Sequence, residues 1–326
     1  MIMKDRRSKR LAMGIPLQGI PLLEQRDWII ELESLGYCDL WSSEAYNVDG
    51  FTPLALASQW APSMRLGCAC HPIQTRGPGI LAQSAAALAQ AAPGRFILGV
   101  GASSPTVVEN WNAQSFEKPY QRMRDGLRFL STALQGDRVD EDYETFSIRR
   151  FQLTTPLDPP PPIYAAALRP QMLRLAGREA DGVLLNWIGA EDVSRVLATV
   201  RESGREIESV LRLIVIPDDD VEAARINARY AITGTLTVPA YRAHQEWLGR
   251  GEALDAMWQN WAAGDRKAAL AAIPDSVVDD LIVVGPIERC RERIERFFEA
   301  GIDTIILEVG VPAADSARIA RELAPR

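Results

Sequence analysis

The amino-acid sequence predicts an α/β protein, a (β/α)8 TIM barrel with a helical insertion before its last strand. Three observations predict it. Strand-like apolar runs alternate with helix-spaced segments, and alternation of that kind implies a parallel sheet. The alternation makes eight strand-then-helix units once the interruptions are set aside, which suits a closed barrel better than an open sheet. A chain of 326 residues with 47% hydrophobic content is long enough for a large core, and it holds neither a second core of domain size nor a low-complexity tract. One domain over 1–326 is therefore expected.

The units follow in order. "LAMGI" opens as a strand, and Pro21–Leu35 continues with Leu22, Ile29, Leu32 and Leu35 at helical spacing before Gly36 as a stop. "CDLWSS" is the second strand and Pro53–Ala61 its helix. "RLGCAC" is the third, followed by Pro78–Ala92, a helix so rich in Ala and Leu that it should be covered on both sides. "RFILGV" leads to a helix over Lys118–Leu134, "PIYAAA" to Pro170–Glu179, "DGVLLN" to Glu191–Gly204, and "LRLIVI" to Asp219–Ala231. The chain closes with Glu288–Ala300, which puts Ile287, Cys290, Ile294 and Phe297 on one face, and the strand "DTIILEV". Two stretches interrupt the repeat. Residues 135–161 are polar, end in four prolines and read as an extension over one rim; 234–281, with Trp247, Trp258 and Trp261, read as the helical insertion.

Charge and cysteine content exclude several classes. A net charge of −7 argues against nucleic acid or an anionic membrane, either of which needs clustered positive surface. No run is long enough to span a bilayer, and the start "MIMKDRRSKRLAMGIPL" is a poor signal peptide because Gly14 and Pro16 break its short apolar run. Four scattered cysteines suit reduced thiols in a cytoplasmic protein. Cys68-x-Cys70 is no metal site: two histidines in the whole chain leave too few ligands, so no metal is expected.

A barrel carries its chemistry at the C-terminal ends of its strands. Those ends hold Gln18, Ser43-Glu44, Cys70-His71, Gly101–Ser104, Ala166–Leu168 and Asn186-Trp187, mostly small, polar or glycine. Such a composition suits a flat ligand lying on backbone amides. Gly99-x-Gly101 in "RFILGVGASSP" means either that backbone passes close to a ligand or only that strand and helix touch closely; as a dinucleotide fingerprint it fails, lacking the third glycine. Free N–H groups entering the helix at Pro170 make an anion site, to which Arg169 adds charge.

The segments "ELESLGYCDLWSSEAY", "RLGCACHPIQTRGPGILAQSAAALAQAAPGRFILGVGASSP", "PIYAAALRPQMLRLAGREADGVLLNW" and "VVGPIERCRERIERFFEAGIDTIILEV" resemble the bacterial-luciferase-like superfamily, and within it the branch that uses coenzyme F420. The resemblance runs from the first strand to the last. It implies an F420-dependent oxidoreductase that moves a hydride between the deazaflavin and a small organic substrate. It implies a non-proline cis peptide at Cys68–Ala69, with Cys70 completing a bulge behind the cofactor ring. Gly101, Ala102, Ser103 and Ser104 would line the ring and ribityl chain, and Ala166, Ala167, Leu168 and Arg169 would hold the phosphate.

The sequence also departs from the pattern. Several deazaflavin enzymes of this superfamily carry an acidic residue followed by His after strand two and a glutamate after the strand-four glycines; here those positions read Glu44-Ala45 and Ser104. Glu44, His71 and Tyr46 are the candidates to handle protons, with Glu44 and His71 taken as catalytic and His71 expected to face the substrate near neutral pH. Gln18, Tyr46, Asn186 and Trp187 are expected to touch substrate. Alternatives are an FMN-dependent monooxygenase, a flavin- or deazaflavin-binding protein without catalysis, and a phosphosugar barrel, which "IPDDD" and "EVGVP" disfavour by putting acid where phosphate would sit. The apolar helix Pro78–Ala92 predicts a homodimer.

Overall fold

The computed structural model describes residues 9–44 and 48–325. Eight parallel strands form its centre: β1 Arg10–Gly14, β2 Asp39–Ser42, β3 Arg65–Cys68, β4 Phe96–Gly101, β5 Ile163–Ala166, β6 Gly182–Asn186, β7 Glu208–Pro217 and β8 Thr304–Val309. Each pairs with the next, and β8 returns to β1 with Arg10 opposite Thr304 and Met13 opposite Leu307. The barrel is closed, as the eight repeats predict. Six helices cover the first six strands: α1 Arg26–Ser34, α2 Thr52–Trp60, α3 Pro78–Ala91, α4 Pro119–Leu134, α5 Pro170–Glu179 and α6 Val193–Arg201.

The interruptions have their own structure. Within 135–161, Val139–Asp142 pairs antiparallel with Ser147–Phe151, and the hairpin lies along α4, with Phe146 and Phe151 packed edge-on to Phe129. Between β7 and β8 come α7 Val221–Leu236, α8 Pro239–Trp247, α9 Gly251–Ala262, α10 Arg266–Ala271, α11 Asp275–Leu281, a short strand Val283–Gly285 beside β7, and α12 Ile287–Ala300. The helix that the sequence ends at Ala231 runs on to Leu236, because Ile232 and Leu236 belong to an apolar cluster built by α7 to α11. Cys290, Ile294 and Phe297 form the buried face of α12, and Gly301 ends it at φ 114°. A last helix, α13 Ala313–Leu323, follows β8. Among the described residues no helix is long and apolar enough to cross a membrane.

Strand period decides what points inward. Alternate residues share a face, and the inner faces stack in layers. At the N-terminal end, Arg65 bridges Asp39 (2.7 Å) and Glu208 (2.8 Å), and Glu208 also accepts from Tyr164 and Thr304 at 2.6 Å each. Above this lie Ala12, Trp41, Ile97, Leu184, Val210 and Ile306. Two residues further along each strand come Gly14, Ser43, Ala69, Gly99, Ala166, Asn186, Arg212 and Glu308. That last layer is the mouth of the barrel.

Candidate functional site

The floor of the mouth is a bulge on β3. From Gly67 to His71 the chain advances four residues while its partner advances three, from Ile97 to Val100, so one residue is extra. A non-proline cis peptide lies there, between Ala69 and Cys70. The expected position, Cys68–Ala69, is one residue too early. The Ala69 N–H still reaches the Ser42 carbonyl (2.8 Å), and pairing with β4 resumes at His71.

The bulge also explains Gly99-x-Gly101. A Cβ on Gly99 would lie 1.8 Å from the Cys68 carbonyl oxygen, and one on Gly101 would lie 2.3 Å from the Cys70 sulfur. The glycines make room for backbone and thiol of the next strand, which in turn lifts Ala69 and Cys70 onto the barrel's inner cluster beside Ala166. Burial, with Glu44 nearby, pushes the Cys70 thiol up to about 12, and burial also raises that of Cys68. Neither is a ready thiolate.

One wall holds Glu44. Its Oε2 accepts from the Gly50 N–H (3.0 Å), the Arg76 guanidinium (2.9 Å) and His71 Nδ1 (3.2 Å). Burial alone would raise its pKa, but these donors outweigh that and bring it to about 2. His71 has no exposed surface, stacks on Phe51 at 3.8 Å, and has its pKa lowered by burial despite Glu44. A carboxylate can only accept, so Nδ1 carries the proton, and Nε2 is buried with no partner among the described residues. The geometry sets His71 inside the wall as a neutral ring, where the sequence expects it to face substrate.

The other expected residues fall as follows. Gly101 is buried, while Ala102, Ser103 and Ser104 are partly open after β4; Ser103 adopts φ 64°. A non-glycine residue in the left-handed region persists only where its surroundings enforce it, and such residues gather at binding sites. Ser104 Oγ accepts from the Val107 N–H at 3.4 Å, opening a wide helical turn, Thr106–Trp111. Ala166 and Leu168 are partly open, Ala167 is buried with its N–H on the Leu184 carbonyl, and exposed Arg169 precedes Pro170, first residue of α5. Gln18 is exposed in the turn after β1. Tyr46 lies outside the described residues.

Asn186 reaches the mouth, but Trp187 does not. At φ 54° Trp187 turns away and is buried among the insertion helices with Ile216 and Ala228, while its carbonyl accepts from Gln245 at 2.7 Å. The large apolar ring finds more cover in the insertion than in the opening.

Three residues at the mouth were not singled out in the sequence. Arg212 and Glu308 meet at 3.0 Å between β7 and β8, and Tyr241 of α8 places its hydroxyl 3.4 Å from Asn186 Nδ2. The first two had a signal. "LRLIVI" and "IILEV" each carry one charge inside an otherwise apolar strand, and period two places it inward. Tyr241 had none, because only the fold folds α8 back over β6. Between β7 and β8 a hollow of about 470 Å³ is lined by Asp218, Asp219, Asp315 and Glu322, with Arg318 its basic residue. Its carboxylates disfavour a phosphosugar there.

Comparison with known proteins fits this geometry. The luciferase-like monooxygenase family matches residues 6–304. A Mycobacterium tuberculosis protein, provisionally described as a coenzyme F420-dependent oxidoreductase, is 25% identical over 93% of this chain and 94% of its own. A 5,10-methylenetetrahydromethanopterin reductase of Methanolobus tindarius is 24% identical, covering 88% and 90%. Among solved structures, an F420-dependent secondary alcohol dehydrogenase in complex with an F420-acetone adduct superposes with a TM-score of 0.79 at 18% identity, covering 97% of this chain and 98% of that one. At that identity the likeness shows the fold.

Proposed function

The chain belongs to the luciferase-like monooxygenase family, and on that premise we propose that it is an oxidoreductase that uses coenzyme F420 to exchange a hydride with a small organic substrate. The observation that carries the reading is the bulge on β3 at Ala69 and Cys70, for which Gly99 and Gly101 are kept bare, at the floor of the barrel mouth. A flat ring fits against such backbone. The start of α5 fits a phosphate: its first N–H groups have no partner within the helix, and Arg169 stands beside them. The names of the relatives favour the deazaflavin over FMN.

When bound, the cofactor supplies the hydride chemistry. The chain's residues do the rest. Ala69, Cys70 and Ala166 form an apolar floor, Gly101–Ser104 and Ala166–Arg169 hold the two ends of the ligand, and Asn186 and Tyr241 offer polar contacts to the substrate. Glu44 stays ionised and fixes Arg76 and the Gly50 backbone, while His71 fills the wall behind them. In this reading both position the site.

Fluorescence titration of F420 and of FMN tests the assignment. F420 is expected to bind more tightly; FMN binding as tightly, with oxygen consumed on reduction, moves the assignment to a monooxygenase. Binding of either without turnover of any acceptor leaves a cofactor-binding protein. We also propose a cytoplasmic homodimer. Leu23, Ile30 and Ile80 expose 71%, 36% and 56% of their surface on or beside α1 and α3, and a second copy would cover them. A monomer mass by light scattering at micromolar concentration would refute the dimer.

A further inference from the structure

The strongest unassigned group is the Tyr241 hydroxyl. The residue comes from the insertion, and its ring packs on the cluster of α7 to α11. Helix α8 is tied down beside it, because Gln245 is fully buried and donates from Nε2 to the Trp187 carbonyl at 2.7 Å. The hydroxyl is thereby delivered to Asn186, whose side chain shares the inward layer with Ala166 and Arg212. Asn186 Nδ2 donates to Tyr241 Oη at 3.4 Å. The phenol's own proton is then left to donate, and no described residue accepts it.

What surrounds that proton narrows the acceptor. Asn186 lies opposite Arg212 in the register of β6 and β7, so the hydroxyl it holds sits over that side of the mouth. The two carboxylates of the mouth are engaged, Glu44 with Arg76 and Glu308 with Arg212. Burial raises the Tyr241 pKa, which keeps the group a neutral donor at ordinary pH. A phenol that receives a hydrogen bond from an amide is a better donor in turn.

We propose that Tyr241 donates a hydrogen bond to a carbonyl or hydroxyl oxygen of the organic substrate, with Asn186 holding the phenol in place. The insertion is then part of the site: it brings a substrate contact that the eight strands do not carry. The proposal rests on the oxidoreductase reading above for the presence of a substrate at the mouth, and it takes a carbonyl or hydroxyl compound as that substrate.

The test uses cyclohexanone bound to the protein loaded with oxidised F420, a pairing that cannot turn over. Difference infrared spectroscopy follows the ketone's carbonyl stretch. In the wild type the band is expected at lower frequency than in Tyr241→Phe, and cyclohexanone is expected to bind about 3- to 10-fold more weakly to the variant, the range for one net hydrogen bond. F420 affinity should change by less than about twofold. Tyr230→Phe, on the exposed face of α7, should match the wild type, and Asn186→Leu should shift the band part of the way. An identical band in wild type and Tyr241→Phe overturns the proposal, as does failure of cyclohexanone to bind the wild-type complex. Failure of F420 itself to bind, with a Tyr241-dependent band in the FMN-loaded protein, refutes the cofactor reading and leaves the role of Tyr241 standing.

Discussion

The two ends of the barrel each bury a carboxylate against an arginine, and they use the pair differently. At the N-terminal end Glu208 and Asp39 share Arg65, with Tyr164 and Thr304 filling the remaining positions on Glu208. Every partner sits on a strand, so the network ties β2, β3, β5, β7 and β8 together. At the C-terminal end Glu44 joins Arg76, His71 and the Gly50 N–H, all beyond the ends of β2 and β3 and, His71 apart, in loops. The first network closes a plug, and the second props up one wall of an opening. Equal chemistry on strands stabilises the barrel; on loops it shapes a site.

The comparison breaks most sharply at Arg65. Replacing Arg65 by Met should leave Glu208 without a cation and Asp39 with Arg10 alone, and removing one partner of a buried pair costs about 3–5 kcal/mol. Denaturant unfolding should show that loss, with F420 affinity of the folded fraction unchanged. A loss under about 1 kcal/mol would mean that water reaches the plug.

Acid should act on both ends together. Glu208 and Glu44 are each held near 2 against an ordinary 4.5: burial raises both, and hydrogen bonds, from Arg65 for Glu208 and from His71 and Arg76 for Glu44, outweigh it. A carboxyl with a lower pKa when folded binds its proton more weakly in that state, so its stabilisation is complete above 4.5 and fades as pH falls towards 2. Each contributes about 3 kcal/mol by that linkage. Unfolding measured from pH 6 down to pH 2 should steepen below pH 4.5, and Glu208→Gln or Glu44→Gln should each remove part of the slope. A slope unchanged in both variants would place the acid lability elsewhere.

How far the sequence discloses this follows from what sets each feature. The eight strands, and helices such as Pro170–Glu179, are legible because they depend on local periodicity and caps. Gly99-x-Gly101 is visible as a pair, but its reason is not, since the Cys68 carbonyl and the Cys70 sulfur arrive from a neighbouring strand. Arg65, Asp39 and Glu208 read as scattered charges until the register aligns them. Trp187 misleads because strand position predicts where a residue starts and not which way a left-handed backbone turns it. Tyr241 lies outside any strand, in the helical insertion, where no strand period can place it.

Glu44→Gln sharpens the contrast at the other end. The plug variant should lose stability and keep the site; this one should act on the site as well. Gln keeps the shape but not the charge that holds Arg76, so the expected stability loss is at most that of the linkage, about 3 kcal/mol. Hydride transfer should fall at least about tenfold while F420 affinity stays within about threefold, since the proposed site for its phosphate, at the start of α5, lies away from Glu44. Equal losses in affinity and rate would place Glu44 against the cofactor itself.

The smallest effect expected is at the rim, where Arg169 and Arg174 flank the start of α5. Arg169 is the residue the sequence offers to an anionic cofactor; Arg174, within the same helix, is occupied, pairing with Glu202 at 2.6 Å. Arg169 stands next to the first turn of the helix, where an added positive charge and the unpaired N–H groups act on the same anion. It is exposed, so salt screens it, and its contribution should be a few tenths to about 1 kcal/mol. Arg169→Ala is therefore expected to weaken F420 binding about 2- to 5-fold at low ionic strength and less at high salt, and Arg174→Ala to leave it unchanged. If Arg174→Ala weakens binding and Arg169→Ala does not, the phosphate lies further along α5 than its first turn, and the boundary of the site moves with it.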